Sequence, residues 1–254
     1  MGRILRWTFL LIAIAVPAWA QAPYDNSQTP EGWAWAQINT GRAADFNRRP
    51  ECGGKSLDPH EQAGWDNHCR QISPQFLIDI LTVPKWRDQI RQSRVDLVGA
   101  RITGDLDLAM TEIATALVLA ASRIEGDLDL IDARLKRLVS LNGSVITGAV
   151  SAYRMHAESS FGMGDHAAFS SAVNLVGATV DGDLDMTTAS FADTVNLVGA
   201  KIGGNLEMNT SSFHTVRADR LDVHGDLFMR DYATFGGDVG LVGAKIGGLL
   251  DLRS

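Results

Sequence analysis

Two sets of carboxylates recur through the C-terminal part of this 254-residue chain. Asp105, Asp127, Asp183 and Asp226, with Asn205, occupy one position of a repeating motif; Asp107, Asp129, Asp185, Glu207 and Asp251 stand two residues further on. Carboxylates about 5 Å apart can act as general acid and nucleophile on a glycosidic bond. They can also collect a hard cation such as Ca²⁺. A third reading is a solvated face balanced by the bases Arg101, Arg123, Lys201 and Lys245. The binding candidates are therefore Asp105, Asp107, Asp127, Asp129, Asp183 and Asp185. A second group, His156, Glu158, Asp165 and His166, has the types needed for acid–base work or metal ligation, and is equally well read as loop polarity. The same two readings apply to His60, Glu61, Asp66 and His68. Cys52 and Cys69 form an even count and suggest a disulfide, which would stabilise by roughly 3 kcal/mol by closing a loop. A metal pair with His60 or His68 is the rival. No nucleophile motif built on Ser or Cys occurs. No resident metal or cofactor is expected, with Ca²⁺ the one candidate; the glycine-aspartate nonapeptide of calcium-binding β-rolls is absent.

The elements that must position these groups are set by a tandem repeat over 95–254. Val95–Leu108, Val173–Met186, Val195–Met208 and Val239–Leu252 are near copies, with weaker ones from Leu117 and Val216. A period near 22 residues is the mark of a solenoid. Inside each unit apolar residues alternate, as at Val95 and Leu97 or Leu106 and Leu108, which is strand periodicity. Turn residues interrupt every ten-residue window, which excludes helix pairs. The predicted architecture is mainly β: a right-handed parallel β-helix of about seven coils, with equivalent residues about 4.8 Å apart.

Aligning the copies predicts four inward columns. The first is Ile102, Ile124, Ile146, Val180, Ile202, Val223 and Ile246. The second runs Leu106, Leu128, Val150, Phe161, Leu184, Leu206, Leu227 and Leu250, and the third follows two residues later. The fourth is Ile113, Leu135, Phe169, Phe191, Phe213 and Phe235. Gly104, Gly126, Gly148, Gly182, Gly204, Gly225 and Gly248 recur at one position and predict a corner with positive φ, strained or rebuilt where Ser159 replaces glycine. Segment 139–173 departs from the period, as though half a coil were missing near Val150. The final coil stops at Ser254 without a capping unit, which suggests truncation, a frayed end, end-to-end self-association, or a partner at that end.

Residues 21–90 show no repeat and hold Trp33, Trp35, Trp65 and Trp86. Helices are expected from Pro30 to about Thr40, stopped by Gly41, and over Ser73–Leu81. This segment reads as a small helical, Trp-rich N-terminal cap whose tryptophans form its core or stack on sugar rings. Residues 1–20 read as a signal peptide: Arg3 and Arg6, an apolar run over Trp7–Val16, Pro17, then Ala18-Trp19-Ala20. Cleavage after Ala20 predicts a periplasmic or secreted chain with no stable membrane span. The alternative is an uncleaved anchor, for which the run falls short of the ~20 residues a span needs. Loss of Arg3 and Arg6 takes the net charge from −7 to −9, which disfavours nucleic acid as a partner.

Val95-Asp96-Leu97-Val98-Gly99 and Asp105-Leu106-Asp107-Leu108-Ala109 fit locally the Ala-(Asp/Asn)-Leu-x-x pattern. On these residues the region 95–254 resembles the bacterial pentapeptide-repeat proteins, whose runs fold as right-handed quadrilateral β-helices. It departs in coil length, since strict five-residue repeats give 20 per coil. Glu31–Ile38, Ala44–Asn47 and Trp86–Gln89 are similar to a segment that precedes such repeats in exported proteins of unknown function. Some of those relatives carry a membrane-associated oxidoreductase label, which implies a redox protein as a minor alternative. The expected function is a non-enzymatic exported scaffold that binds an unidentified protein or glycan; the main alternative is a carbohydrate-active β-helix hydrolase or lyase.

Overall fold

The computed structural model describes residues 24–253; the signal-peptide reading of 1–20 lies outside the described residues. Helix α1 spans Pro30–Asn39 and starts where the Thr29 hydroxyl accepts from Gly32 N, with proline at the first helical position. It ends at Thr40, followed by Gly41 at φ +79°. Helix α2 spans Pro74–Thr82, with the Ser73 hydroxyl accepting from Phe76 N. Its apolar spacing puts Phe76, Leu77, Ile80 and Leu81 on one buried face. The Glu31 carboxylate accepts from both N and Oγ of Ser73, tying the two helix starts together. Trp35 meets Trp86 edge-on at 5.4 Å, and Tyr24 meets Phe76 at 4.8 Å. The cap also lends two short strands to the repeat region: Ala44–Asp45 pairs with Leu97–Val98, and Gln71–Ile72 with Arg101–Ile102. The edge of the first turn is thereby paired on its first two faces, and α2 packs against Leu106–Asp107 and Glu112–Ile113 on the other two.

From Arg94 the chain winds as a β-solenoid of about seven turns, all pairing parallel. Each turn has four short strands, one per face. In the first turn these are Arg94–Val98, Arg101–Ile102, Leu106–Asp107 and Glu112–Ile113, and Ala116–Ala120 returns to the first face. The first face stacks Val95, Leu117, Val139, Phe161, Leu184, Leu206, Leu227 and Leu250 in register. Turn length is thus 21 to 23 residues throughout, and the tube is continuous across 139–173.

This register corrects the aligned columns. Ile146 pairs with Phe169, so the second face runs Ile102, Ile124, Ile146, Phe169, Phe191, Phe213 and Phe235. Val180 instead follows Ile113, Leu135 and Ala157 on the fourth face. Val150 pairs with Val173, and Phe161 with Val139. No half coil is missing. The repeated motif slides by half a turn, so Val95–Leu108 lies on faces one to three while Val173–Met186 begins on face three and ends on face one. A turn has two similar halves, each with two alternating inward residues and a corner, and either half of the motif satisfies either half of the turn.

The corners also differ from expectation. Of the aligned glycines only Gly104 has positive φ. The left-handed residue falls two places after the inner pair: Gly99, Gly143, Gly177, Gly199 and Gly243, but also Met110, Asp132, Arg154, Thr188 and Thr210, at φ between 54° and 71°. The aligned glycines answer to space. A Cβ on Gly126 or Gly148 would collide with the backbone of the turn below, and one on Gly204 or Gly248 with the carboxylate of Asp183 or Asp226. The Ser159 position requires no left-handed strain.

The best-ordered column is aromatic. Phe169, Phe191, Phe213 and Phe235 stack with centroids 4.8, 4.8 and 5.3 Å apart and planes within 10°. Phe191→Ala removes a ring between two others in a closed interior, and is expected to cost about 3–5 kcal/mol. Urea unfolding monitored by circular dichroism checks this; a loss below about 1 kcal/mol would mean the ladder is not a packed core.

Candidate functional site

The carboxylate sets are built on two different faces. Asp105 and Asp127 precede inward residues of the third face, whereas Asp183, Asn205 and Asp226 do so on the first. They do not form one stack, because the motif has slid by half a turn between them. Each bonds the turn above. Asp105 Oδ1 accepts from Asp127 N at 2.9 Å and Asp127 Oδ1 from Ala149 N at 2.8 Å. On the first face Ser160 Oγ, Asp183 Oδ1, Asn205 Oδ1 and Asp226 Oδ1 accept in turn from the backbone N of Asp183, Asn205, Asp226 and Leu249. The second set bonds its own corner: Asp107, Asp129 and Asp185 accept from the amide two residues on. That Asx turn brings the chain to the left-handed corner residue. One oxygen of each candidate therefore has a structural partner.

The basic residues divide in the same way. Arg101 and Arg123 neighbour one another on the second face, while Lys201 and Lys245 belong to the fourth. Arg101 pairs with Glu125 at 2.9 Å. Its Nη1 donates to Trp65 O, and Arg123 donates to Pro59 O and Gln62 Oε1. These contacts hold the loop between the cysteines against the solenoid as a strap. Cys52 and Cys69 are joined in a disulfide, so their thiolates are not metal ligands. His60 Nε2 reaches the carbonyl of His166 at 2.8 Å, and His68 Nδ1 meets Gln71 Oε1 at 2.9 Å. Trp65 is fully buried, and Trp35 and Trp86 nearly so, which makes these three core residues.

The second histidine group is not assembled. His156 and Glu158 lie on the fourth face, where His156 Nε2 meets Asp181 at 3.0 Å. Hydrogen bonds from Lys136 and Arg134 hold the Glu158 carboxyl below its ordinary range. Asp165 and His166 occupy the corner after the first face, both with left-handed backbone. The expectation of one cluster followed from proximity in sequence, and the corners separate its members.

The structure instead collects Asp183, Asp185 and Glu207 around a shallow depression of about 270 Å³ on the first face, with Ser140, Asn142 and Ser160 on its walls. Gly162, on the rung before Asp185, supplies no side chain there. Burial first, then the charges of Asp185 and Asp183, raise the Glu207 pKa above its ordinary value. Glu207 was visible in sequence only as one acid in a row; the gap left by Gly162 depends on the pairing of Phe161-Gly162 with Leu184-Asp185. Among the described residues no three His, Cys, Asp or Glu side chains stand close enough to hold a metal ion, and no helix is long and apolar enough to cross a membrane. No family model matches the chain, and no curated protein or solved structure matches it.

The ladder role of the acids has a simple test. Asp127→Ala removes the acceptor for Ala149 N and is expected to destabilise by about 1–2 kcal/mol. Asp127→Asn keeps an oxygen there and should cost less than half as much. Equal losses in urea unfolding would mean that the negative charge matters and the acceptor does not.

Proposed function

We propose that this protein is an exported, non-enzymatic repeat scaffold of the pentapeptide-repeat type, whose long faces bind another macromolecule. The observation that carries this reading is the commitment of the regular carboxylates to backbone amides, turn after turn. A catalytic acid and base need two carboxyl groups free to change protonation against a bound substrate. Among the described residues the corners of the solenoid are short. Export is supported by the residue pattern of 1–20 and by the disulfide, which persists in oxidising compartments.

A carbohydrate-active reading rests on one feature. Burial and the neighbouring Asp185 and Asp183 raise the Glu207 pKa, and a carboxyl raised in this way beside a second carboxyl is the arrangement a general acid uses. Incubation of the purified protein with a panel of neutral and acidic polysaccharides separates the two. The scaffold reading predicts no reducing-end or unsaturated product, and the same null result with Glu207→Gln. Cleavage of any glycan that Glu207→Gln abolishes would overturn it in favour of the enzyme.

A further inference from the structure

A second depression, of about 460 Å³, opens where the segment leaving the cap joins the solenoid. Four successive turns meet there along one corner: Ser93 and Arg94 on the first, Ala116 on the second, Lys136 and Arg137 on the third, and Glu158 and Ser159 on the fourth. The lining thus holds three cations against one carboxylate, on a chain whose net charge is −7. That carboxylate is already engaged: Glu158 accepts from Lys136 at 2.8 Å and from Arg134 at 2.7 Å. Arg94 gives its Nε to Asp96, and its terminal nitrogens have no hydrogen-bond partner among the described residues. Arg137 makes no salt bridge or side-chain hydrogen bond among the described residues.

Two further observations fall on the same corner. Gln92 and Ser93 are consecutive non-glycine residues with left-handed backbone, at φ 60° and 48°. L side chains resist that conformation, and it recurs at sites where the backbone is held for a purpose. By the register of Arg94 with Ala116 and Leu117 with Val139, Thr115 stands on the rung between Ser93 and Arg137. Its hydroxyl is the one buried hydroxyl among the described residues that lacks a hydrogen-bond partner.

We propose that this depression binds a single oxyanion group (sulfate, phosphate or carboxylate), held by Arg137 and the terminal nitrogens of Arg94 with Ser93 as a hydroxyl donor. A guanidinium presents paired donors matched to such a group, and a charge-assisted bond is about twice as strong as a neutral one. The ligand is either a free anion or the acidic substituent of a glycan. The inference is independent of whether the protein is an enzyme.

Isothermal titration of the purified protein with sodium sulfate, sodium phosphate and a sulfated disaccharide, at ionic strength fixed with sodium chloride, tests it. Saturable binding of at least one probe is expected. Arg137→Gln should weaken that binding about tenfold or more, and Lys136→Gln should also weaken it. Lys201→Gln, on the fourth face away from the corner, should leave it unchanged. Tighter binding of the disaccharide than of free sulfate assigns the site to an acidic glycan, and equal affinities assign it to the free anion; both support the proposal. Absence of saturable heat with all three probes, or equal affinity in Arg137→Gln and the unsubstituted chain, overturns it.

Discussion

Everything in the solenoid depends on one constraint: each turn must repeat the path of the turn beneath it closely enough for backbone N–H and C=O groups to pair across about 4.8 Å. Leu106 N donates to Asp127 O, Leu128 N to Ala149 O and Val150 N to Ala172 O, all at 2.8 to 3.0 Å. Buried backbone polar groups tolerate no vacancy in such a ladder. Like therefore lies over like inside the tube, as in the phenylalanine stack. Outside it, an Asp or Asn oxygen takes the next amide and a glycine leaves room for that oxygen. The same constraint explains the cap, whose strands at Ala44–Asp45 and Gln71–Ile72 pair with the first two faces of the first turn.

The constraint acts on the half-turn as well as on the turn. Val-x-Leu and Asp-Leu-Asp-Leu each supply two inward residues, an acceptor for the corner amide and a left-handed residue two places later. Because the halves make equivalent backbone demands, the chain can exchange them between faces without breaking the tube. The interval of 34 residues from Val139 to Val173 is about one and a half turns, and the pairing passes through it without a gap. An apparent fault in the sequence is thus a change of phase in a continuous structure.

Much of the fold was legible in the residues. Alternation at Val95 and Leu97, the 22-residue spacing, the Thr29-Pro30 and Ser73-Pro74 helix starts and the two cysteines each carry a local physical signal. The columns were not legible beyond Ile146, because alignment tracks residue likeness while stacking tracks path length. The glycines were assigned the wrong cause for a related reason: a missing Cβ signals either a left-handed corner or a close neighbour, and only the turn beneath decides. The candidate site was less legible still. Sequence proximity joined His156 to His166, whereas Arg94 and Arg137, far apart along the chain, line one depression only through the register.

With the regular acids bonded to their own rungs and Arg101 and Arg123 fastening the strap, few charged groups stand outside that scheme. Glu207 and Arg137 are the clearest of these, and both are located by the continuous register. Disulfide trapping on outward positions tests that register most directly, on a Cys52→Ser, Cys69→Ser background. The register places Ser151 beside Asn174 on the third face, so Ser151→Cys with Asn174→Cys should oxidise rapidly to an intramolecular bridge. Ser151→Cys with Gly162→Cys should not, since Gly162 pairs with Ser140 on the first face. Efficient bridging of positions 151 and 162, with none between 151 and 174, would contradict the continuous tube and restore a missing half coil.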